Sequence, residues 1–468
     1  MSIETNVSQQ PRPFGLASGL PSLLNQGGTG FYSTKGFHIY CELRPKSNLE
    51  FAEDDARALK YVQIIEEFTN HGIQAATPFK VALLELQGNV LHFYKEGELT
   101  IETVRESIQF VFLFTTTLYE ALKPELGNDW DGFASCMDFG PSIIIRHNSI
   151  GCSSAVSLGP VANTPAKQLL YGKTLAGCVD VPSSWAKALG GSASGNWFTI
   201  NLRDREKFPF VTGMENAELR RQLQVAIQAF RADRNRTRIS TIAKANKIQG
   251  ACVQADLDGF SAVVKQAFES GQKEIERVAL GFAQVLEFGD FMRQSTPGTK
   301  ALPWAGDRAP TIVSKNVWLD FSMRWQSFAS GTPESQKRGW GNLFKNVKWS
   351  IGGCHGKTGS NIVVPIQAQG REFLVATGWP MAVSMDAQNV GKGDDIVTSK
   401  TDYDEFDAAT KSLFSKVMGT DFWKTTNITS DRIKRAGIEL GKSQPPSSSD
   451  YLSKYSTIQV PSPRPHLR

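Results

Sequence analysis

The spacing of apolar side chains changes along this chain in an order that occurs twice. Residues 36–43 are apolar up to Glu42-Leu43-Arg44-Pro45, the pattern of a buried strand meeting a loop. Residues 54–71 place Ala58, Tyr61, Ile64, Ile65 and Phe68 at helical spacing, which predicts an amphipathic helix. Residues 81–86 and 90–94 read as strands joined through Gln87-Gly88-Asn89, 99–122 as a second helix, 136–145 and 151–159 as a strand pair, and 165–171 as the opening of a third helix. The order then returns. An apolar strand reaches Asp256 and breaks at Asp258-Gly259, 265–291 is helical, Gly306-Asp307 falls in a turn before the apolar run 310–313, 317–328 is helical, and 347–353 with 372–378 are late strands. Landmarks keep step: Glu42 to Gly88 is 46 positions against 50 from Asp256 to Gly306, and Gly88 to Gly159 is 71 against 72 from Gly306 to Gly378. The expected fold class is therefore an α/β (α+β) sandwich of mostly antiparallel strands, made twice.

Composition narrows this picture only slightly. With 40% hydrophobic and 21% charged residues, the 468-residue chain has the make-up of a water-soluble protein of two or three domains. A net charge of +5 is mild and gives no argument for nucleic acid. The six cysteines form no Cys-x-x-Cys pair and read as buried thiols of a reducing compartment. The apolar window 108–122 is too short to span a bilayer, and no secretion signal is visible, so a cytoplasmic protein is expected. Residues 1–34 read as a flexible arm, 35–205 and 250–410 as the two copies, 206–249 as a basic helical linker, and 411–468 as an extension with a disordered tail.

The chemistry gathers at Ala255-Asp256-Leu257-Asp258-Gly259-Phe260-Ser261 and at Pro303-Trp304-Ala305-Gly306-Asp307. A strand ending in a carboxylate and a glycine turn, with a second Gly-Asp turn on a neighbouring strand, suits a divalent cation held against a triphosphate. An aspartate beside glycine is also an ordinary turn residue. The first stretch resembles the metal-binding segment Phe-x-Asp-Ile-x-Gly-Phe-Thr of class III nucleotidyl cyclases, and Ala305-Gly306-Asp307 resembles their second, a Gly-Asp at a hairpin. The resemblance implies that Asp256, Asp307 and the Leu257 backbone hold two Mg²⁺ or Mn²⁺ ions. It implies further that Leu257, Gly259, Phe260 and Ser261 cradle phosphates.

The first copy has Glu42 and Asn89 where the second has Asp256 and Asp307, which makes it a poor metal site. Its stretch Ser157-Leu158-Gly159-Pro160-Val161-Ala162-Asn163-Thr164-Pro165-Ala166-Lys167 resembles the family's Gly-x-x-Val-Asn-x-Ala-x-Arg. Asn163 and Lys167 thereby become the catalytic pair, with lysine at the arginine position; by residue type alone they also make a helix start. The resemblance implies two tandem ferredoxin-like cyclase domains forming an intramolecular pseudo-heterodimer with one complete site. It also implies base contacts from Glu85 and Val156 and a phosphate contact from Arg371. By residue type Glu85 equally suits a structural pair with Lys80 or Lys95. The texture is similar to the pyrimidine cyclases of bacterial Pycsar antiphage systems. That implies a cyclic CMP or cyclic UMP messenger made from CTP or UTP, read by a separate effector. Adenylate or guanylate cyclization, or nucleotide sensing without turnover, are the alternatives. No nucleic-acid or membrane partner is expected, and a monomeric pseudo-dimer or further self-association are both compatible.

Overall fold

The computed structural model describes residues 30–47, 54–126, 128–149, 152–170, 172–204, 241–331, 347–356 and 360–438, with short isolated pieces elsewhere. Most of the expected arm and basic linker, and the tail, lie outside the described residues.

The first sheet contains β1 (Gly15–Leu16), β2 (Gly30–Pro45), β3 (Ala82–Gln87), β4 (Val90–Glu96), β5 (Trp130–Ser149), β6 (Cys152–Leu158), β7 (Cys178–Pro182) and β8 (Trp197–Asn201). Its path runs β3-β4-β2-β5-β7-β8, with β1 beside β2 and β6 beside β5. Helices α1 (Asp55–Ala76) and α2 (Ile101–Leu126) pack on it, and α3 (Pro160–Leu170) follows β6. Asp54 caps α1 by accepting from the Arg57 amide at 2.8 Å.

The second sheet runs β11 (Lys300–Ala301), β12 (Arg308–Val313), β10 (Ala251–Asp258), β13 (Lys348–Cys354), β16 (Asp395–Ser399), β18 (Phe422–Thr426) and β17 (Ser415–Lys416) in spatial order. A smaller sheet joins β9 (Asn246–Gln249), β14 (Ser360–Ala368) and β15 (Arg371–Thr377). The expected single helix at 265–291 is two, α4 (Phe260–Ser270) and α5 (Gln272–Gln294), because Gly271 breaks the run at φ +102°. Two more helices, α6 (Trp318–Gly331) and α7 (Trp379–Val390), cover the second sheet. As expected, pairing is mostly antiparallel; β1–β2, β5–β7 and β13–β16 are the parallel pairs among the described strands.

Each copy lends apolar residues to the core of the other. Ile143, Ile145, Val156 and Leu158 from β5 and β6 are buried in one cluster with Val253, Phe260, Phe282 and Trp304 of the second copy. Ile362, Val364, Ile366, Phe373 and Val375 from β14 and β15 are buried with Val62, Ile65, Phe68 and Leu83 of the first. This exchange places the start of α3, which leaves β6, beside the start of α4. Among the described residues no helix is long and apolar enough to cross a membrane.

Because Ile366 is fully buried against the first copy, Ile366→Ala should cost about 3 kcal/mol by cavity formation. Denaturant midpoints measure that loss, and hydrogen exchange should quicken in α1, a helix of the other copy.

Candidate functional site

β10 carries Asp256 in direct register with Arg308 on β12 and Ser350 on β13. The β12 hairpin closes tightly: the Arg308 amide donates to the Ala305 carbonyl at 3.1 Å, and Gly306 takes φ +61°, a conformation that favours glycine. This geometry brings Asp307 against Asp256, close enough for its acid form to favour the Asp256 carboxylate. Burial, and then the neighbouring Asp256 charge, push the Asp307 carboxyl well above the ordinary carboxylate range. Burial raises Asp256 as well, against the pull of the Arg308 charge. Asp256 Oδ2 accepts from Gln388 Nε2 on α7 at 3.0 Å, and the same amide donates to Ser350 Oγ at 3.1 Å. Leu257 and Phe260 point into the apolar core, Phe260 stacked on Phe282 with centroids 4.6 Å apart, so only their backbone is available to a ligand. Gly259 at φ +88° turns the chain into α4, whose Phe260 and Ser261 amides precede its first bond, from the Ala262 amide to the Gly259 carbonyl at 3.1 Å.

The first copy meets this point from the other side. Asn163 Nδ2 donates to Ser261 Oγ at 2.7 Å, joining the starts of α3 and α4. Lys167, one turn further along α3, is exposed, and its charge acts to lower the Asp307 carboxyl. The helix begins at Pro160, not at 165 as its residue types suggest, so Asn163 lies inside it and is not its cap. Gly159 permits that earlier start: at φ +154°, a Cβ there would come within 3.0 Å of the Pro141 carbonyl oxygen.

Glu85 reaches the same turn through the interior. Its Oε1 accepts from the Gly306 amide at 3.2 Å, and Oε2 accepts from Gln87 Nε2 at 3.1 Å. Lys95 pairs with Glu106 instead. Burial pushes the Glu85 carboxyl up to about 8, so near neutral pH it is largely the neutral acid. Burial also keeps His92, down to about 3, and His38 neutral. A consistent hydrogen-bond sense follows, from Glu85 O–H to His92 Nδ1 at 3.3 Å, His92 Nε2 to His38 Nδ1 at 2.9 Å, and His38 Nε2 to Ser142 Oγ at 2.9 Å. The Trp304 amide adds a second tie to the first copy through Ser154 Oγ at 2.8 Å.

Three residues sit otherwise than the resemblance implies, Glu85 among them, since its carboxyl is buried and both oxygens are already bonded within the chain. Arg371 is buried, its guanidinium donating to the Leu83 and Leu84 carbonyls and lying over the Phe373 ring at 4.8 Å. It thus braces the strand that bears Glu85, and its donors are turned away from a phosphate. Val156 packs in the apolar core shared by the two copies, where it offers no polar group to a base. Arg308 and Gln388 are the neighbours of the carboxylate pair that the motifs did not single out. Arg308 was adjacent to Asp307 in sequence, whereas Gln388 is 132 positions from Asp256 and only packing reveals it.

No protein-family model matches the sequence, and no curated protein matches it. Among solved structures, one described as a class III adenylyl cyclase-like ATP-binding protein from Pseudomonas aeruginosa is 14% identical, with TM-score 0.68 over 92% of this chain and 96% of that one. The guanylyl cyclase Cya2 is 10% identical, covering 37% of this chain and 91% of its own, with TM-score 0.29. The adenylyl cyclase CyaB from P. aeruginosa is 11% identical, covering 34% and 82%, with TM-score 0.29. Nearly the whole chain therefore has a class III cyclase-like fold.

Proposed function

We propose that this protein is a nucleotidyl cyclase that converts a pyrimidine nucleoside triphosphate, CTP before UTP, to its 3′,5′-cyclic monophosphate and pyrophosphate. The observation that carries this reading is the meeting of the two copies at one point, where Asn163 bonds Ser261 and the Lys167 charge acts on Asp307 beside Asp256.

The carboxylate pair fits a divalent cation. Burial raises both carboxyls, and the Asp256 charge raises Asp307 further, even with the Arg308 charge beside them; a divalent cation would supply the positive charge that lets both ionise. Among the described residues no group of three or more His, Cys, Asp or Glu side chains could hold a metal ion. A pair of carboxylates suits Mg²⁺ or Mn²⁺ arriving with a triphosphate, since such ions take one or two carboxylates and complete their shell with phosphate oxygens and water. Asp256, Asp307 and the Leu257 carbonyl would hold two ions, whose chemistry when bound is to acidify the ribose 3′-hydroxyl and neutralise the triphosphate.

The chain's own groups do the rest. Asn163 orients the ribose, the first turn of α4 from Gly259 to Ser261 receives phosphate oxygens, and Lys167 meets charge growing on the α-phosphoryl group. The 3′-oxygen bonds to the α-phosphorus as the bond to the bridging oxygen breaks. Pyrophosphate leaves with that electron pair, and the hydroxyl proton passes to water. Both Glu85 oxygens are engaged within the chain, by the Gly306 amide, Gln87 and His92, so its acid does not select the base, and the pyrimidine choice rests on the sequence texture. In the same reading the product is an antiphage messenger acting on a separate effector.

A second reading, nucleotide sensing without turnover, has support from Lys167 in place of arginine and from the description of the similar P. aeruginosa protein as ATP-binding.

Incubation with each nucleoside triphosphate and Mg²⁺ or Mn²⁺, followed by mass analysis, should yield cyclic CMP as the main product. Cyclic AMP alone would overturn the pyrimidine choice, and binding without any cyclic product would favour the sensor. Asp307→Ala should lower turnover by roughly 1,000-fold or more while the chain stays folded; an active Asp307→Ala enzyme refutes the metal assignment. The raised Asp307 carboxyl also sets a pH dependence. Its protonated form is favoured by folding, so the metal-free chain should lose stability as pH rises from about 4 through the raised value. Thermal midpoints should show Asp307→Asn more stable than the native chain at high pH without metal, with the gap closing on acidification. Mn²⁺ at about 100 times its dissociation constant should stabilise the native chain by about 2.7 kcal/mol and the variant far less.

A further inference from the structure

Arg308 follows Asp307 and is the direct cross-strand partner of Asp256, so its side chain leaves β12 on the face of the Asp256 carboxylate. Its Nε stands 3.9 Å from Asp256 Oδ1, beyond hydrogen-bond reach, and that Nε is buried with no hydrogen-bond partner. The Arg308 charge acts on both aspartates, lowering each against the burial that raises it. A cation seated on the carboxylates would take over that role and repel the guanidinium. Arg308 would then have a buried donor and no anion facing it, unless the ligand brings one. Under the nucleoside triphosphate reading two neighbouring observations leave a forked phosphate contact to be filled. Lys167 brings a single point charge to the same place, without the planar, multi-donor geometry of an arginine. Arg371, the other arginine considered for phosphate, has its donors on the Leu83 and Leu84 carbonyls.

We propose that Arg308 is a catalytic residue that binds the phosphate oxygens of the substrate, acting with Lys167 to supply the forked contact that lysine lacks. This rests on the nucleoside triphosphate reading above, and it adds a specific residue to it. With cations on the carboxylates Arg308 would turn from Asp256 to the triphosphate, whose oxygens would give its buried Nε an acceptor.

The test compares the native chain with Arg308→Met, Arg308→Lys and Arg308→Met/Lys167→Arg, all checked for unchanged thermal midpoint. Arg308→Met should lower kcat/KM by about 100-fold, the usual loss when one donor to a charged transition state is removed. Arg308→Lys should recover part of it, and the added Lys167→Arg should restore about tenfold by returning a forked donor. Mn²⁺ affinity without nucleotide should hold or rise in Arg308→Met, since a competing charge is gone. If kcat/KM is unchanged in Arg308→Met and only Mn²⁺ affinity rises, Arg308 is a counter-ion of Asp256 and the proposal fails. Calorimetric titration with Mn²⁺ and inorganic triphosphate separates this result from a failure of the cyclase reading. Should the native chain cyclize nothing, about tenfold weaker triphosphate binding by Arg308→Met still supports the phosphate contact, and equal or absent binding overturns it.

Discussion

The reciprocal burial of two apolar hairpins is the constraint on which everything else in this chain rests. β5 and β6 complete the core of the second copy, and β14 and β15 complete that of the first. Apolar area removed from water is the main favourable term in folding, and here much of it is available only when the copies are joined. Their relative position is therefore set by core packing. A site divided between them inherits that rigidity, and Asn163 meets Ser261 because β6 is anchored on the far side of the junction.

The carboxylate pair is a cost that the same packing carries. Asp256 and Asp307 stand together in a partly buried place, where two negative charges cannot both persist without a counter-charge. The turn bearing Asp307 is held from the first copy, through Glu85 on the Gly306 amide and Ser154 on the Trp304 amide. Gln388 fixes Asp256 from α7. Such bracing keeps an electrostatically unfavourable arrangement in place, as the proposed cation site would require.

Glu85 and Arg371 show how one residue type serves different ends. A carboxylate near a nucleotide site suggests base recognition, and an arginine suggests phosphate. In the folded chain the carboxyl bonds the Gly306 amide and continues through His92 and His38 to Ser142, while the guanidinium ties β15 to β3. Both connect the copies. Buried polar groups need partners, and the ones that cross between the copies are backbone groups more than two hundred positions away in sequence.

What the sequence by itself determined was the local order: the alternation of strands and helices, the two-fold repeat, the Asp256 and Gly306-Asp307 turns, and the contrast between an acidic copy and one bearing Asn163 and Lys167. These follow from period, turn chemistry and charge, which act over a few residues. The break at Gly271 and the start of α3 at Pro160 escaped because glycine serves equally in loops and at helix ends. Only the tertiary structure decided that the hairpins cross over, that Gln388 and Arg308 flank the aspartates, and that Arg371 turns inward to the carbonyls of β3. Those outcomes depend on which buried surfaces and unpaired polar groups find each other across the chain, and no spacing along the sequence records that choice.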